Sequence, residues 1–369
     1  MTNTSMTVTA PKRLMSIDAL RGFDMIWIIG GSEVIIAIAK ACPNTFFLWL
    51  AKNFDHEWEK FRFYDLIMPL FLFIVGVVMP VAFKNRSTLH ESRSKIYKHV
   101  LIRVVKLYIL GLIASGHLLD FNISTLHLWT DTLHAIAFGY LVSSVMILEL
   151  DKKWQYVIVA LLLLGYSIIM TQVPIPGYGA GIFQKDLNLA LHIDNQVLGH
   201  FQEGSGWTYI LTNMTFVCSV MLGVFAGNIL LSKLSEKEKI KRLIVVGVAC
   251  IAGGLIWSLW FPIIHHIWTS SLVLFAGGWS YLLLALFYYA IDVRGNTGWA
   301  YPFRVIGVNA IAVYVATHLF SFSSIAVVFV GGFAKWLGEW YNVLLSFVAL
   351  LVVWLILLYM YKNRTFLKV

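Results

Sequence analysis

From Leu14 to Tyr361 the chain consists largely of apolar runs, each about as long as a bilayer's hydrocarbon layer is thick. A helix needs about 20 such residues to cross that layer. Ten runs meet the requirement: residues 17–38, 63–84, 99–117, 132–150, 154–172, 208–231, 243–263, 268–291, 304–330 and 341–361. The composition agrees. Hydrophobic residues make up 59% of the chain and charged residues 13%, with a mean hydropathy of +0.77, whereas soluble domains carry about 25% charged residues. The predicted fold class is therefore all-α: a polytopic integral membrane protein of about ten transmembrane helices. Residues 1–369 are read as one transmembrane domain. The polar opening and the length of the first apolar run argue against a cleaved leader.

Basic residues set the orientation. With the amino terminus inside, nineteen Lys and Arg fall in cytoplasmic segments and six in segments on the other side, a strong positive-inside asymmetry. Both termini are then cytoplasmic, residues 1–13 form a cytoplasmic tail, and 39–62 and 173–207 form long outer loops. The net charge of +9 does not point to nucleic acid, because the basic residues are dispersed and carry no binding motif. The three cysteines lack metal or redox spacing, and no metal is expected.

The loop 39–62 carries the most chemistry. It contains Asp55, His56, Glu57 and Trp58, followed after six residues by Asp65 at the mouth of the second run. An imidazole titrates near neutrality, and a carboxylate at a membrane helix entrance is costly unless it faces protein, water or a partner. His56 with Asp55, Glu57 and Asp65 is the one compact acid–base group in the sequence. Trp58 and the nearby carboxylates suit a sugar, whose ring faces stack and whose hydroxyls need acceptors. Serine-hydrolase, phosphate-loop and zinc-protease signatures are absent.

Charges inside the apolar runs form a second set. Asp18, Arg21 and Asp24 recur at intervals of three, so Arg21 can pair with either carboxylate on one helix face. Arg103 and Lys106 lie within the third run. Arg21, Arg103 and Lys106 are candidates for contacting a phosphate-bearing ligand, alongside the structural readings of an ion triad and interfacial anchors. Asn309 and His318 are expected in interhelical hydrogen bonds, with Asn309 also a candidate substrate contact.

Five ordered blocks, SIDALRGFD, FYDLIMPLFLFIVG, VMLGVFAGNIL, FPIIHHIWTSSLVLFAGG and VIGVNAIAVYV, resemble bacterial members of the heparan-α-glucosaminide N-acetyltransferase family of transmembrane acyltransferases. The resemblance runs from Leu14 to Tyr361. It implies transfer of an acetyl group from cytosolic acetyl-CoA, as co-substrate, to an amino sugar or glycan across a cell inner membrane, and it implies a homodimer. It places the active-site histidine at His56, ahead of Asp65. An asparagine that the family carries before that histidine is replaced here by Ser32 or Glu33, and the family's basic PIN-K stretch reads Ile264 and His265. His56 would act as general base or as an acyl-carrying nucleophile, with Asp65 orienting its ring. Two other classes stay open at this point: a transporter or flippase for a sugar-containing substrate, for which matching halves and broken helices would be the sign, and a non-catalytic scaffold, which would leave the His56 cluster without a purpose.

Overall fold

The computed structural model describes residues 14–88, 91–130, 132–204 and 206–366. The tail 1–13 and Lys368, both used to orient the chain, lie outside them. The chain is helical almost throughout. The first run is α1 (Met15–Ile26) and α2 (Ser32–Ala41), joined by a π-helical segment Trp27–Gly31 in which Gly30 takes φ +134°. A short α3 (Thr45–Lys52) follows, then α4 (Ile67–Thr88), α5 (Arg93–Ala114), α6 (Thr132–Glu149) and α7 (Lys152–Gln172). The loop after α7 contains the chain's small antiparallel hairpin, β1 (Phe183–Gln184) with β2 (Leu187–Asn188), and α8 (Leu189–Leu198). The second half comprises α9 (Asn213–Leu231), α10 (Glu236–Trp257), α11 (Ser270–Phe287), α12 (Tyr301–Gly307), α13 (Ala310–Leu319), α14 (Phe322–Val330), α15 (Ala334–Leu337) and α16 (Trp340–Lys362).

Eight helices among the described residues are long and apolar enough to cross a membrane, or nine if the bent pair α12–α13 counts as one crossing. The remaining expected span, 99–117, is α5, a helix of 22 residues that Lys98, Arg103 and Lys106 make more polar than the rest. The run 304–330 is not one helix. It bends by 72° between α12 and α13 and breaks again before α14. Asn309 stands at the bend with non-helical backbone, and the last turn of α12 gives way there.

Burial separates centre from rim. Nearly all of α9 and most of α4 and α11 are buried, whereas α10 and α16 turn Ile244, Val245, Val248, Leu355 and Ile356 outward, as lipid-facing helices do. Two close crossings hold the centre. A Cβ on Gly223 would fall 1.9 Å from the carbonyl oxygen of Phe73, and one on Gly76 would fall 1.9 Å from that of Val220, so α4 and α9 meet backbone to backbone. Gly22 and Gly307 do the same for α1 and α12, at 1.7 Å from Phe303 O and 1.9 Å from Asp18 O. Small residues at such crossings let packing replace the hydrophobic drive that lipid removes.

Candidate active site

His56 lies in the loop between α3 and a 3₁₀ turn, Phe63–Leu66, that opens α4. The loop is closed by a hydrogen bond from Tyr64 N to Asn53 O at 2.9 Å. Asp55 accepts from the His56 backbone N–H at 2.9 Å, which orients the histidine's own peptide. Asp65 is the hub. Its side chain is 1% exposed, and its Oδ2 accepts from Arg62 N at 2.7 Å. Its Oδ1 accepts from His56 Nδ1 at 2.5 Å, a short charge-assisted bond. The expected pair is therefore brought together, and the Asp65 contact leaves Nε2 as the free nitrogen of the His56 ring.

A second histidine shares the carboxylate. His265 Nδ1 stands 3.2 Å from Asp65 Oδ1, outside hydrogen-bonding alignment, and neither ring nitrogen of His265 has a hydrogen-bond partner. The segment bearing it, 258–269, is held tightly. Tyr166 Oη donates to Ile267 O, Thr208 N to His266 O at 3.3 Å and Trp268 Nε1 to Ser219 Oγ at 3.0 Å. Thr269 Oγ1 accepts from Ile264 N and caps α11 through Leu272 N. Trp268 takes φ +44°, a left-handed backbone costing about 1–3 kcal/mol that surrounding packing must offset.

Aromatic rings enclose the cluster. His266 is sandwiched between Trp207, with centroids 4.2 Å apart, and Trp58 at 5.0 Å. Trp207 also meets His56 and His265 edge-on, at 5.5 and 4.9 Å. Burial drives the imidazole pKa values down. That of His266 falls to about 3, through desolvation first and then the neighbouring His265 and His56. That of His265 is lowered by desolvation and by His56, against the opposing pull of Asp65. Both rings are neutral at pH 7.

His56, Tyr64, Trp207 and His265 form one wall of a cavity of about 390 Å³. Ile28 of the π segment, Met68 and Phe71 of α4, and Tyr314 and His318 of α13 complete its apolar side, while Thr130, Thr132, Glu203 and Tyr209 add polar groups. Tyr209 Oη donates to Thr130 O at 2.7 Å and lies 3.2 Å from Glu203 Oε1. Asp194 on α8 accepts from Tyr209 N and Ile210 N at 2.6 and 2.9 Å, and burial raises its pKa to about 6. The loop 173–207 thus contributes directly to the cavity wall through Glu203 and Trp207.

Other residues singled out from the sequence do not line this cavity. Glu57 pairs with Arg62 at 2.5 Å and Lys60 at 3.1 Å, which lowers its pKa. Trp58 anchors the loop through Nε1 to Phe183 O at 2.6 Å. Asn309 is buried at the α12–α13 bend, its Nδ2 donating to Thr365 O at 3.3 Å. Arg103 lies over the Tyr140 ring at 4.4 Å, Lys106 is exposed on α5, and Arg21 sits one turn from the buried Asp24; none of the three lines the His56 cavity. Ser32 is buried, its hydroxyl donating to Trp27 O at 2.8 Å, while Glu33 is exposed.

The sequence reading noted His265 only as the residue in place of the family's basic stretch and gave His266 no role, although both lie in the conspicuous HHIWTSS block. His56 Nδ1, Asp65 Oδ1 and His265 Nδ1 lie within 4.8 Å of one another, a donor set that a divalent cation can use. Donors on one tetrahedral ion at 2.0–2.1 Å stand about 3.3 Å apart. The His265–Asp65 separation matches that figure, and the His56–Asp65 contact is that of a hydrogen bond.

No family model matches the chain. The chain is similar to human heparan-alpha-glucosaminide N-acetyltransferase, with 23% identity over 84% of this chain and 53% of that protein. It therefore spans about half the length of the curated relative it matches. The similarity is that of a distant relationship to a membrane N-acetyltransferase.

Proposed function

We propose, starting from that distant relationship, that this chain is a membrane acyltransferase that moves an acetyl group from acetyl-CoA to the amine of an amino sugar or glycan. The observation that carries the reading is an imidazole bonded to a buried carboxylate on the wall of a cavity sized for a small ligand. In the reaction the acceptor nitrogen attacks the thioester carbonyl carbon and His56 Nε2 takes the proton that the nitrogen loses. The carbon–sulfur bond then breaks, the amide forms, and the departing thiolate is protonated to the free thiol. Asp65 keeps the His56 proton on Nδ1 and stabilises the imidazolium, a role worth about 10²–10⁴-fold in rate with the base itself. Neutral His265 and His266 keep further positive charge out of the site, and the aromatic shell excludes water, which strengthens each remaining electrostatic contact.

In this reading both termini are cytoplasmic and His56 faces the outer side of a cell inner membrane, with residues 1–369 acting as one domain. Asp55, Glu57 and Trp58 lie on the acceptor's approach. A homodimer follows the same resemblance. The same Nε2 would carry the acetyl group in a two-step route.

The test is a purified His56→Ala variant with calorimetric titration of acetyl-CoA and a transfer assay with glucosamine. Donor binding near the wild-type value with transfer reduced by at least about 10²-fold is expected. Substantial transfer by the folded variant removes His56 from the mechanism. Single-turnover reaction with labelled donor and no acceptor separates the routes, since a two-step enzyme retains label on protein.

A further inference from the structure

His265 is buried without a bond. Its side chain is 4% exposed, and neither Nδ1 nor Nε2 has a hydrogen-bond partner. A polar group buried in this way costs free energy and needs an explanation. Its Nδ1 faces Asp65 Oδ1 at 3.2 Å, out of line for a hydrogen bond. That oxygen already holds His56 Nδ1. Two imidazoles thus converge on one carboxylate oxygen, and the hydrogen bond satisfies only His56.

The converging groups are fixed from outside. Asp65 Oδ2 is held by Arg62 N at 2.7 Å. The Trp268 ring lies 5.0 Å from that of His265, and Trp268 Nε1 is tied to Ser219 Oγ at 3.0 Å. Bonds of this outer kind orient ligands in metal sites. Two imidazole nitrogens and a carboxylate oxygen suit zinc and its neighbours better than magnesium or calcium. His56 and His265 both line the cavity of about 390 Å³, so a fourth position faces open space, as in open zinc sites. His56 is the movable ligand, 29% exposed on a loop. A swing of about 0.8 Å takes its Nδ1 from 2.5 Å to the spacing of about 3.3 Å that two donors on one ion require. Linear spacing pointed to no metal, because the donors stand at positions 56, 65 and 265 and only the fold unites them.

We propose that His56 Nδ1, Asp65 Oδ1 and His265 Nδ1 bind one divalent transition-metal ion of the Zn²⁺ type, and that the bound ion blocks transfer. The site stands on its donors alone; the block rests on the acyltransferase reading above. A neutral imidazole carries one proton. With the ion on Nδ1, that proton sits on Nε2, the nitrogen that must receive the acceptor's proton. The ion and the active base therefore compete for the same ring.

The test uses the full chain in detergent, free of any polyhistidine tag and stripped with a chelator, then titrated with Co²⁺ and Zn²⁺. One ion per chain is expected, with the visible absorption of tetrahedral Co²⁺, displaced by Zn²⁺ and not by Mg²⁺ or Ca²⁺. His265→Asn, Asp65→Asn and His56→Ala should each weaken binding by at least about 100-fold. His117→Gln, at an exposed histidine outside the site, should leave it unchanged. Melting curves establish that each variant is folded, and His56→Ala, at the most exposed of the three ligands, keeps the test open if a buried-site variant is not. Zn²⁺ should lower initial transfer rates in step with occupancy, by at least about 10²-fold at saturation, and chelator should restore them. Initial rates are used because the free thiol formed later binds metal itself. No stoichiometric binding by the wild type, or binding undiminished in the folded ligand variants, overturns the site. Full transfer by the zinc-loaded chain overturns the block. Intact Co²⁺ absorption in a metal-binding chain that transfers nothing even when metal-free supports the site and removes the acyltransferase reading instead.

Discussion

Replacing Asp65 by Asn isolates what the carboxylate does, because shape is kept and charge is removed. The amide has one acceptor where Asp65 uses two. The backbone N–H of Arg62, at 2.7 Å from Oδ2, has its position set by the chain, so the amide oxygen turns toward it. The NH₂ group then faces His56 Nδ1 across the present 2.5 Å contact. A donor there forces His56 to accept at Nδ1 and carry its proton on Nε2, the nitrogen that should receive the acceptor's proton. The base is lost as a tautomer, so the rate should fall by about 10²–10⁴-fold. A hydrogen bond to a charged group contributes about 1.5–3 kcal/mol, so the variant should also melt several degrees lower yet remain folded. Transfer should be followed in detergent across pH 6–9, with CoA binding as the control. A tautomer defect leaves the profile depressed at every pH, whereas a defect of pKa alone recovers as pH rises. Activity within about threefold of wild type, or recovery at alkaline pH, would refute the argument.

Two further outcomes follow from packing and charge. Gly223→Ala should destabilise by about 1–3 kcal/mol and impair transfer, because its Cβ falls 1.9 Å from Phe73 O on the helix that Asp65 opens, while Gly165→Ala, whose nearest atom is 3.7 Å away, should be close to neutral in the same thermal melts. His266 holds its folded pKa near 3 against an ordinary 6.5. Between those values the unfolded chain binds a proton that the folded chain refuses, so stability should fall as pH drops from about 6.5 toward 3, by up to about 1.4 kcal/mol per pH unit. His265 adds in the same direction. Asp194, with its pKa raised to about 6 from 3.8, acts oppositely: the fold favours its protonated form, a contribution present below 3.8 and lost as pH rises through 6. His266→Gln should flatten the acid limb of the melting curve, and an unchanged limb would mean that His266 does not set it.

Much of the helical frame could be read along the chain, because lipid demands long apolar segments whatever their neighbours. The eight strongest spans were legible for that reason, and α5 was legible despite Lys98, Arg103 and Lys106. The break at Asn309 was not, since VIGVNAIAVYV is apolar enough to continue as one helix. Its bend comes with a clamp from Thr365, fifty-six residues away.

The candidate site divides in the same way. Sequence alone determined that His56 and Asp65 would be near each other, because only eight residues of loop and turn lie between them and a membrane helix begins there. It could not determine that His265 would share the same carboxylate oxygen, that Trp58 and Trp207 would sandwich His266, or that the end of α16 would turn back onto α12 beside Asp18. Those juxtapositions join residues dozens to hundreds of positions apart. They arise from helix crossings as close as Gly76 on Gly223 and Gly22 on Phe303, where backbone contact decides which helix ends meet, and local pattern carries no record of that choice.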